Sequence, residues 1–241
     1  MHGPFLGEFM GTLVLILLGD GVVANVLLKK SKGENSGWIV IATGWGMAVV
    51  AGIFTAIAFG SPGAHINPTI TLTVALLSGN WSNVVLFWIA QILGAFAGAS
   101  LVWMTYLPHW KVTPDPAAKL VIFCTAPAIR NLPANLLTEM IATTCLIVVG
   151  FSFGSKAVSS TGLPVGFGPW VWGVLVWALG LSLGGPTGYA MNPARDFGPR
   201  MAHAILPISD KGNSDWGYAL VPIVGPLIAG GIGAAIIKLG Q

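Results

Sequence analysis

Charged side chains are scarce in this sequence. Asp, Glu, Lys and Arg together make 8% of its 241 residues, against about 25% in a soluble domain. A chain that is 54% hydrophobic, with a mean hydropathy of +0.80, has too little polar surface to stay in water. That shortage excludes a soluble globular protein and points to an integral membrane protein. The net charge of +3 comes from few residues and says little about partners. No basic cluster is interleaved with base-reading side chains, which argues against nucleic acid. Cysteine is nearly absent: Cys124 and Cys145 lie in different contexts without metal-ligand spacing and read as structural. No nucleotide-binding loop, metal cluster or catalytic constellation is visible, so neither an enzyme nor a cofactor is expected. Lys and Arg are missing ahead of the first apolar run, and Glu8 interrupts it. A cleaved signal peptide is therefore not expected, and the first apolar run should stay in the mature protein.

Long apolar runs are what the sequence has in excess. Six of them, at residues 5–28, 38–59, 84–106, 135–154, 165–183 and 218–237, approach the ~20 residues that a helix needs to cross a bilayer. The connectors between them hold most of the charge. The longest connector contains Pro108, Pro114, Pro116 and Pro127 and separates two halves, residues 1–107 and 135–241, with 108–134 joining them. The halves repeat. Gly7-Glu8-Phe9 in the first span matches Thr138-Glu139-Met140 in the fourth, and the third span of each half is rich in small residues, at 94–98 and 225–230. Small residues let helices pack closely in lipid, where no hydrophobic force drives them together. Three crossings per half is an odd number, so the second half enters from the opposite face, which makes an inverted repeat about an axis in the membrane plane.

Each half also carries an Asn-Pro stretch after its second span: Gly63-Ala64-His65-Ile66-Asn67-Pro68-Thr69, and Gly188-Tyr189-Ala190-Met191-Asn192-Pro193-Ala194-Arg195-Asp196. Asn is a good helix N-cap, and Pro is favoured at the first helical position because its missing N–H would be unpaired there. The following runs, 68–77 and 193–206, are too short to cross. The expected fold is therefore an all-α membrane protein with six transmembrane helices, two half-membrane re-entrant helices and an inverted internal repeat. Irregular backbone at membrane depth is tolerated only when it is buried in protein or lines a water-filled cavity. Paired interrupted segments of this kind point to a translocation path. As plain helix caps Asn67 and Asn192 need no further role. With the two caps facing each other across a lumen, each amide oxygen would cap its helix while its NH2 points inward. The two helix starts would then place partial positive charge at one level and repel cations.

On these two motifs the chain resembles the aquaporins, the major intrinsic protein family, along nearly its whole length. Asp196 after Arg195, then Arg200, and Pro222-Ile223 in the last span are similar to the aquaglyceroporin branch, the bacterial glycerol facilitators. Two features depart from that pattern. The first motif ends in Thr69 rather than Ala, and the stretch from Trp45 to Asn67 is about two residues longer than in typical relatives.

The resemblance implies a passive channel for small neutral hydroxylated solutes such as glycerol, with water and protonated small hydroxy acids such as lactic acid as further cargo. It implies a homotetramer in the cell membrane with one pore per subunit and both termini in the cytoplasm. The count of basic residues runs the other way, with Lys29, Lys30, Lys32, Lys111, Lys119, Arg130 and Lys211 outside against Lys156 and Lys238 inside. The implied selectivity filter is Arg195 with Trp45, Gly180 and Tyr189, and Met47 is the alternative occupant of Trp45's place. Gly180 is expected to widen the ring, where water-specific relatives place a His. Arg195 could instead be a structural ion pair with Asp196 or Glu139. Backbone carbonyls of Gly63, Ala64, His65 and Ile66, with Gly188, Tyr189 and Ala190, are expected to form a ladder of acceptors. His65 is open between a gate and a packed histidine. Glu8 and Glu139, with Gln91, are expected to hold the half-loops as scaffold, Asp196 is expected to be scaffold as well, and Asp20 could line a vestibule or face water. Three other functions compete with a polyol channel. They are a water-selective channel of the same fold, a coupled transporter, for which only His65 is a plausible titratable path residue, and a non-conducting junction protein.

Overall fold

In the computed structural model, which describes residues 2–240, the chain is all helical, with no strand among the described residues. The helices are α1 (Pro4–Leu27), α2 (Trp38–Ala58), α3 (Pro68–Ser78), α4 (Val84–Thr105), α5 (Leu107–Val112), α6 (Pro116–Phe123), α7 (Leu132–Ser152), α8 (Gly168–Leu183), α9 (Pro193–Ile205) and α10 (Leu220–Leu239). α1, α2, α4, α7 and α10 have 20 to 24 residues and are apolar enough to span a bilayer. At 1.5 Å per residue they reach roughly 30–36 Å, the thickness of the hydrocarbon core.

α8 is the sixth spanning helix and the shortest, with 16 residues. The sequence places its start at 165, but the helix begins at Gly168. Gly166 takes a left-handed φ of +79°, and Pro169, which has no N–H to donate, fits only in a first turn. The connector expected at 108–134 folds into α5 and α6, and α7 begins at Leu132, ahead of the expected 135. Asn131 caps α7 by accepting from the Ala134 N–H at 3.2 Å, and Pro133 sits in its first turn.

The two short helices start as their sequences require. Asn67 is extended and accepts from the Thr69 N–H at 2.8 Å, and Gly79 ends α3 in the left-handed region. Asn192 accepts from the N–H groups of Ala194 (3.0 Å) and Arg195 (3.3 Å) at the head of α9. Following the crossings in order, α3 dips in from the face that holds both termini and α9 from the opposite face. Each short helix packs on the third spanning helix of the other half, α3 on α10 and α9 on α4, so the halves interlock. α1 lies against α4, α7 against α10, and α2 crosses α8. That last crossing is close because glycines meet there. A Cβ on Gly46 would lie 2.9 Å from the Gly173 carbonyl, and one on Gly173 would lie 2.7 Å from the Gly46 carbonyl.

Candidate functional site

The irregular stretches ahead of α3 and α9 meet at the centre of the molecule. Asn67 Nδ2 donates to the Met191 carbonyl at 2.9 Å, and Asn192 Nδ2 donates to the Ile66 carbonyl at 2.8 Å. Each amide therefore caps its own helix with oxygen and ties the other half with one N–H, leaving a second N–H unspent. The backbone here is strained in a matched way. Ala64 and Ile66 have φ of 41° and 43°, and Tyr189 and Met191 have 40° and 48°. Such conformations cost of order 1–3 kcal/mol each and need support from their surroundings.

A buried carboxylate supplies that support in each half. Glu8 accepts from Ser61 Oγ (2.6 Å), His65 N–H (2.8 Å), Ile66 N–H (2.7 Å) and Gln91 Nε2 (2.8 Å). Glu139 accepts from Thr187 Oγ1 (2.7 Å), Ala190 N–H (3.0 Å) and Met191 N–H (2.9 Å). With the N–H groups of His65, Ile66, Ala190 and Met191 turned to the glutamates, the carbonyls of Gly63, Ala64, His65, Tyr189 and Ala190 accept from no protein donor among the described residues. They are free to accept from a solute.

These stretches line a cavity of about 330 Å3. One wall is the polar backbone of residues 63–67 and 189–192. Much of the remaining lining is apolar, built by Leu15, Val49, Ile53, Val74, Leu146 and Val176. The sequence reading missed this apolar lining, because nothing in an apolar spanning helix distinguishes a lumen-facing aliphatic from one facing lipid. Phe151 and Trp172 lie at one end of the cavity, near the end of α7 and the start of α8.

At the other end stands Arg195. Its guanidinium carbon lies 4.1 Å from the centre of the Trp45 ring, and Nη1 donates to the Phe123 carbonyl at 3.2 Å. Met47 is 41% exposed on the outer surface, so the register of α2 brings Trp45 to the arginine and not Met47. Neither Asp196 nor Glu139 pairs with Arg195, as the sequence had allowed. Asp196 is held by Arg200 Nε (2.7 Å) and Nη2 (2.9 Å) and by Thr125 N–H (2.8 Å) and Oγ1 (2.7 Å). The acid near Arg195 is Asp20, 3.5 Å from Nη1. Asp20 neither lines a vestibule nor faces water, since it is fully buried.

The space that a Cβ on Gly180 would occupy is filled by Tyr189, with Cζ at 2.7 Å. Gly180 acts by letting Tyr189 lie back against α8. Trp38 pins the pair by donating to the Gly180 carbonyl at 2.9 Å and meeting the Tyr189 ring edge-on at 5.8 Å.

The remaining expected residues divide between lumen and packing. His65 lines the cavity, with Nδ1 3.1 Å from Thr71 Oγ1 and its ring edge against Phe87. Gln91 bridges Glu8 and Thr71. Pro68 and Pro193 start their helices. Thr69, Ala194 and Gly188 are not in the cavity wall. Thr69 is buried against Gly230 of α10, where a Cβ would come within 3.1 Å of its methyl group, so this departure from Ala is met by a glycine on the facing helix. Gly188 turns the chain at φ +81°. The contributions of Phe123 and Thr125, which bring the long connector onto α9, were not foreseen. No group of three His, Cys, Asp or Glu that could hold a metal occurs among the described residues.

Residues 2–237 match the family described as major intrinsic protein. The chain is 57% identical to a probable glycerol uptake facilitator protein of Thermotoga maritima, covering 96% of this chain and 97% of that one. It is 43% identical to a D/L-lactic acid transporter of Lactiplantibacillus plantarum, covering 97% and 96%. Among solved structures, the aquaglyceroporin from Plasmodium falciparum superposes with a TM-score of 0.84 at 28% identity, covering 97% of this chain and 93% of that one.

Proposed function

Since the chain belongs to the major intrinsic protein family, we propose that it is a passive membrane channel for glycerol and similar small neutral hydroxylated solutes, water included. The observation that carries this reading is the cavity of mixed polar and apolar lining, which runs from Phe151 and Trp172 past the Asn67–Asn192 meeting point to Arg195 and Trp45. A polyol has one edge of hydroxyls and one of C–H groups. Its hydroxyls would exchange hydration for the free carbonyls, the asparagine N–H groups and the guanidinium, while its C–H edge slides along the aliphatic wall and the Trp45 and Tyr189 rings. Arg195 with Trp45 and Tyr189, seated by Gly180, forms the constriction in this reading.

Ions are excluded by two features in series. The starts of α3 and α9 each carry about half a positive charge at the same level, and a stripped ion finds too few ligands on an apolar wall. Uncharged lactic acid also offers hydroxyls on a short carbon chain, and it is proposed as further cargo beside the name carried by the Lactiplantibacillus relative. Assembly as a homotetramer with one pore per subunit, in the cell membrane and with both termini cytoplasmic, completes the proposal on the basis of the family resemblance.

Stopped-flow light scattering of proteoliposomes under separate gradients of glycerol, water and lactic acid tests it. Glycerol should equilibrate well above the rate of empty vesicles. High water flux with glycerol at the empty-vesicle rate would make this a water-selective channel instead. Flux against a gradient, driven by a second ion, would make it a coupled transporter.

A further inference from the structure

Four carboxylates are buried in the described residues: Glu8, Asp20, Glu139 and Asp196. Glu8, Glu139 and Asp196 are saturated with hydrogen bonds from loop N–H groups, hydroxyls, Gln91 or Arg200. Asp20 differs from them. Neither of its oxygens accepts a hydrogen bond among the described residues, although it is fully buried. A lone buried carboxylate is costly unless a charge compensates it.

The charge nearest to it is Arg195, at 3.5 Å. The turn of α1 that carries Asp20 also seats the constriction, because Gly19 lies flat against the Trp45 ring, where a Cβ would overlap it. Among the described residues, the other elements around α1 bring no free cation. α2 and α4 carry no charged side chain. Lys119 of α6 donates to the Ser209 carbonyl, Arg200 of α9 is engaged by Asp196, and Cys124 beyond α6 is a buried thiol. Asp20 is absent from the cavity wall, so it does not touch a passing solute.

We propose that Asp20 is a positioning residue that cancels the charge of Arg195 from behind, and so keeps small carboxylate anions from lodging in the constriction while neutral solutes pass. This role presupposes the channel and the Arg195 constriction proposed above. A guanidinium is a planar donor fork that matches a carboxylate. Left alone in the constriction, it would be a trap for acetate or lactate. With Asp20 behind it, the pair has no net charge, and an entering anion meets a like charge close by. The N–H groups of Arg195 remain donors, so a hydroxyl or a protonated acid still binds. The carboxylate thus separates two properties of the arginine, retaining its hydrogen bonds and removing its net field.

The full chain in liposomes tests this by glycerol-driven swelling at neutral pH, with increasing sodium acetate against an equal concentration of sodium gluconate, an anion too large to enter. Asp20→Asn should become sensitive to acetate, with half-inhibition at an acetate concentration about tenfold or more below that of the parent, as expected when one member of a buried charge pair is removed. Asp20→Glu, which restores the charge, should stay as insensitive as the parent. Coincident acetate curves for Asp20→Asn and the parent would overturn the proposal, and so would an Asp20→Glu variant as sensitive as Asp20→Asn. If Asp20→Asn does not assemble, Asp20→Ser carries the same expectation and the same refutation. A parent protein that conducts no glycerol would overturn the channel reading itself, which distinguishes that failure from failure of the role of Asp20.

Discussion

Gly180 and Tyr189 form a single unit at the level of residues. The glycine has no side chain, the ring fills that space, and Trp38 closes the far side by bonding to the glycine's own carbonyl. A methyl group at position 180 would start 2.7 Å from Tyr189 Cζ, closer than packed atoms sit. The ring cannot retreat toward Trp38, so it must swing toward the lumen. Overpacking of this kind costs about 1–3 kcal/mol in strain. Gly180→Ala is therefore expected to narrow the constriction and lower glycerol flux by about tenfold, equivalent to roughly 1.4 kcal/mol of added barrier, with a smaller loss for water. Adding Tyr189→Ala should restore the glycerol rate. Equal loss of both solutes, or no rescue by the second substitution, would show that the ring does not move into the path. The sequence alone reads Gly180 as an opening, because a missing side chain says nothing about which neighbour takes its place.

The strained half-loops and the glutamates beneath them set the next scale, that of elements. The Asn-Pro pairs and the acids at positions 8 and 139 stand out in the sequence because each is a local break in an apolar pattern, and because each occurs twice. The partners of Arg195 do not stand out in the same way. Asp20 is one polar residue near a span end, where a polar residue is ordinary. Phe123 and Thr125 reach α9 from some 70 positions away through two helices in the connector, α5 and α6. No periodicity records such a contact. The half-loop support makes a prediction of its own. In Glu139→Gln the amide can keep one oxygen for Thr187 and Ala190, but its NH2 then faces the Met191 N–H. A buried donor left without an acceptor costs about 1–3 kcal/mol, and here it also frees a residue held at φ +48°. Thermal unfolding in detergent should drop by roughly 2–4 °C for each kcal/mol lost, with glycerol flux falling alongside. An unchanged melting temperature would mean that the loop conformation holds without the carboxylate. Glu8→Gln should behave alike, since Glu8 serves the same two backbone positions in the other half.

Sidedness is decided only at the scale of the whole molecule. Following the crossings, Lys29, Lys30, Lys32, Lys111, Lys119, Arg130 and Lys211 fall on one face, while Lys156 and Lys238 fall on the face that holds the termini. The positive-inside rule taken alone would put the termini outside. Folding, however, gives most of those cations a task where they stand. Lys119 is buried and bonds to the Ser209 carbonyl. Lys211 bonds to the carbonyls of His203 (2.6 Å), Ala204 (2.8 Å) and Leu206 (2.7 Å) at the end of α9, where the helix dipole favours a cation. Arg130 pairs with Asp215, and Lys29 lies 2.9 Å from Glu34. The excess of basic residues thus reflects what this face needs in order to fold, and it carries correspondingly less information about topology. With the termini in the cytoplasm, a cysteine introduced at the exposed Lys111 should react with a membrane-impermeant maleimide in intact cells. A cysteine at the exposed Lys156 should react only after permeabilisation. Native background should be low, because Cys124 is buried and Cys145 sits in an apolar groove among Leu137, Ile141, Val148 and Ile232. The opposite labelling pattern would reverse the orientation. The constriction proposed at Arg195 and Trp45 would then face the cytoplasm, and solute taken up from outside would pass the Asn67–Asn192 meeting point before reaching it.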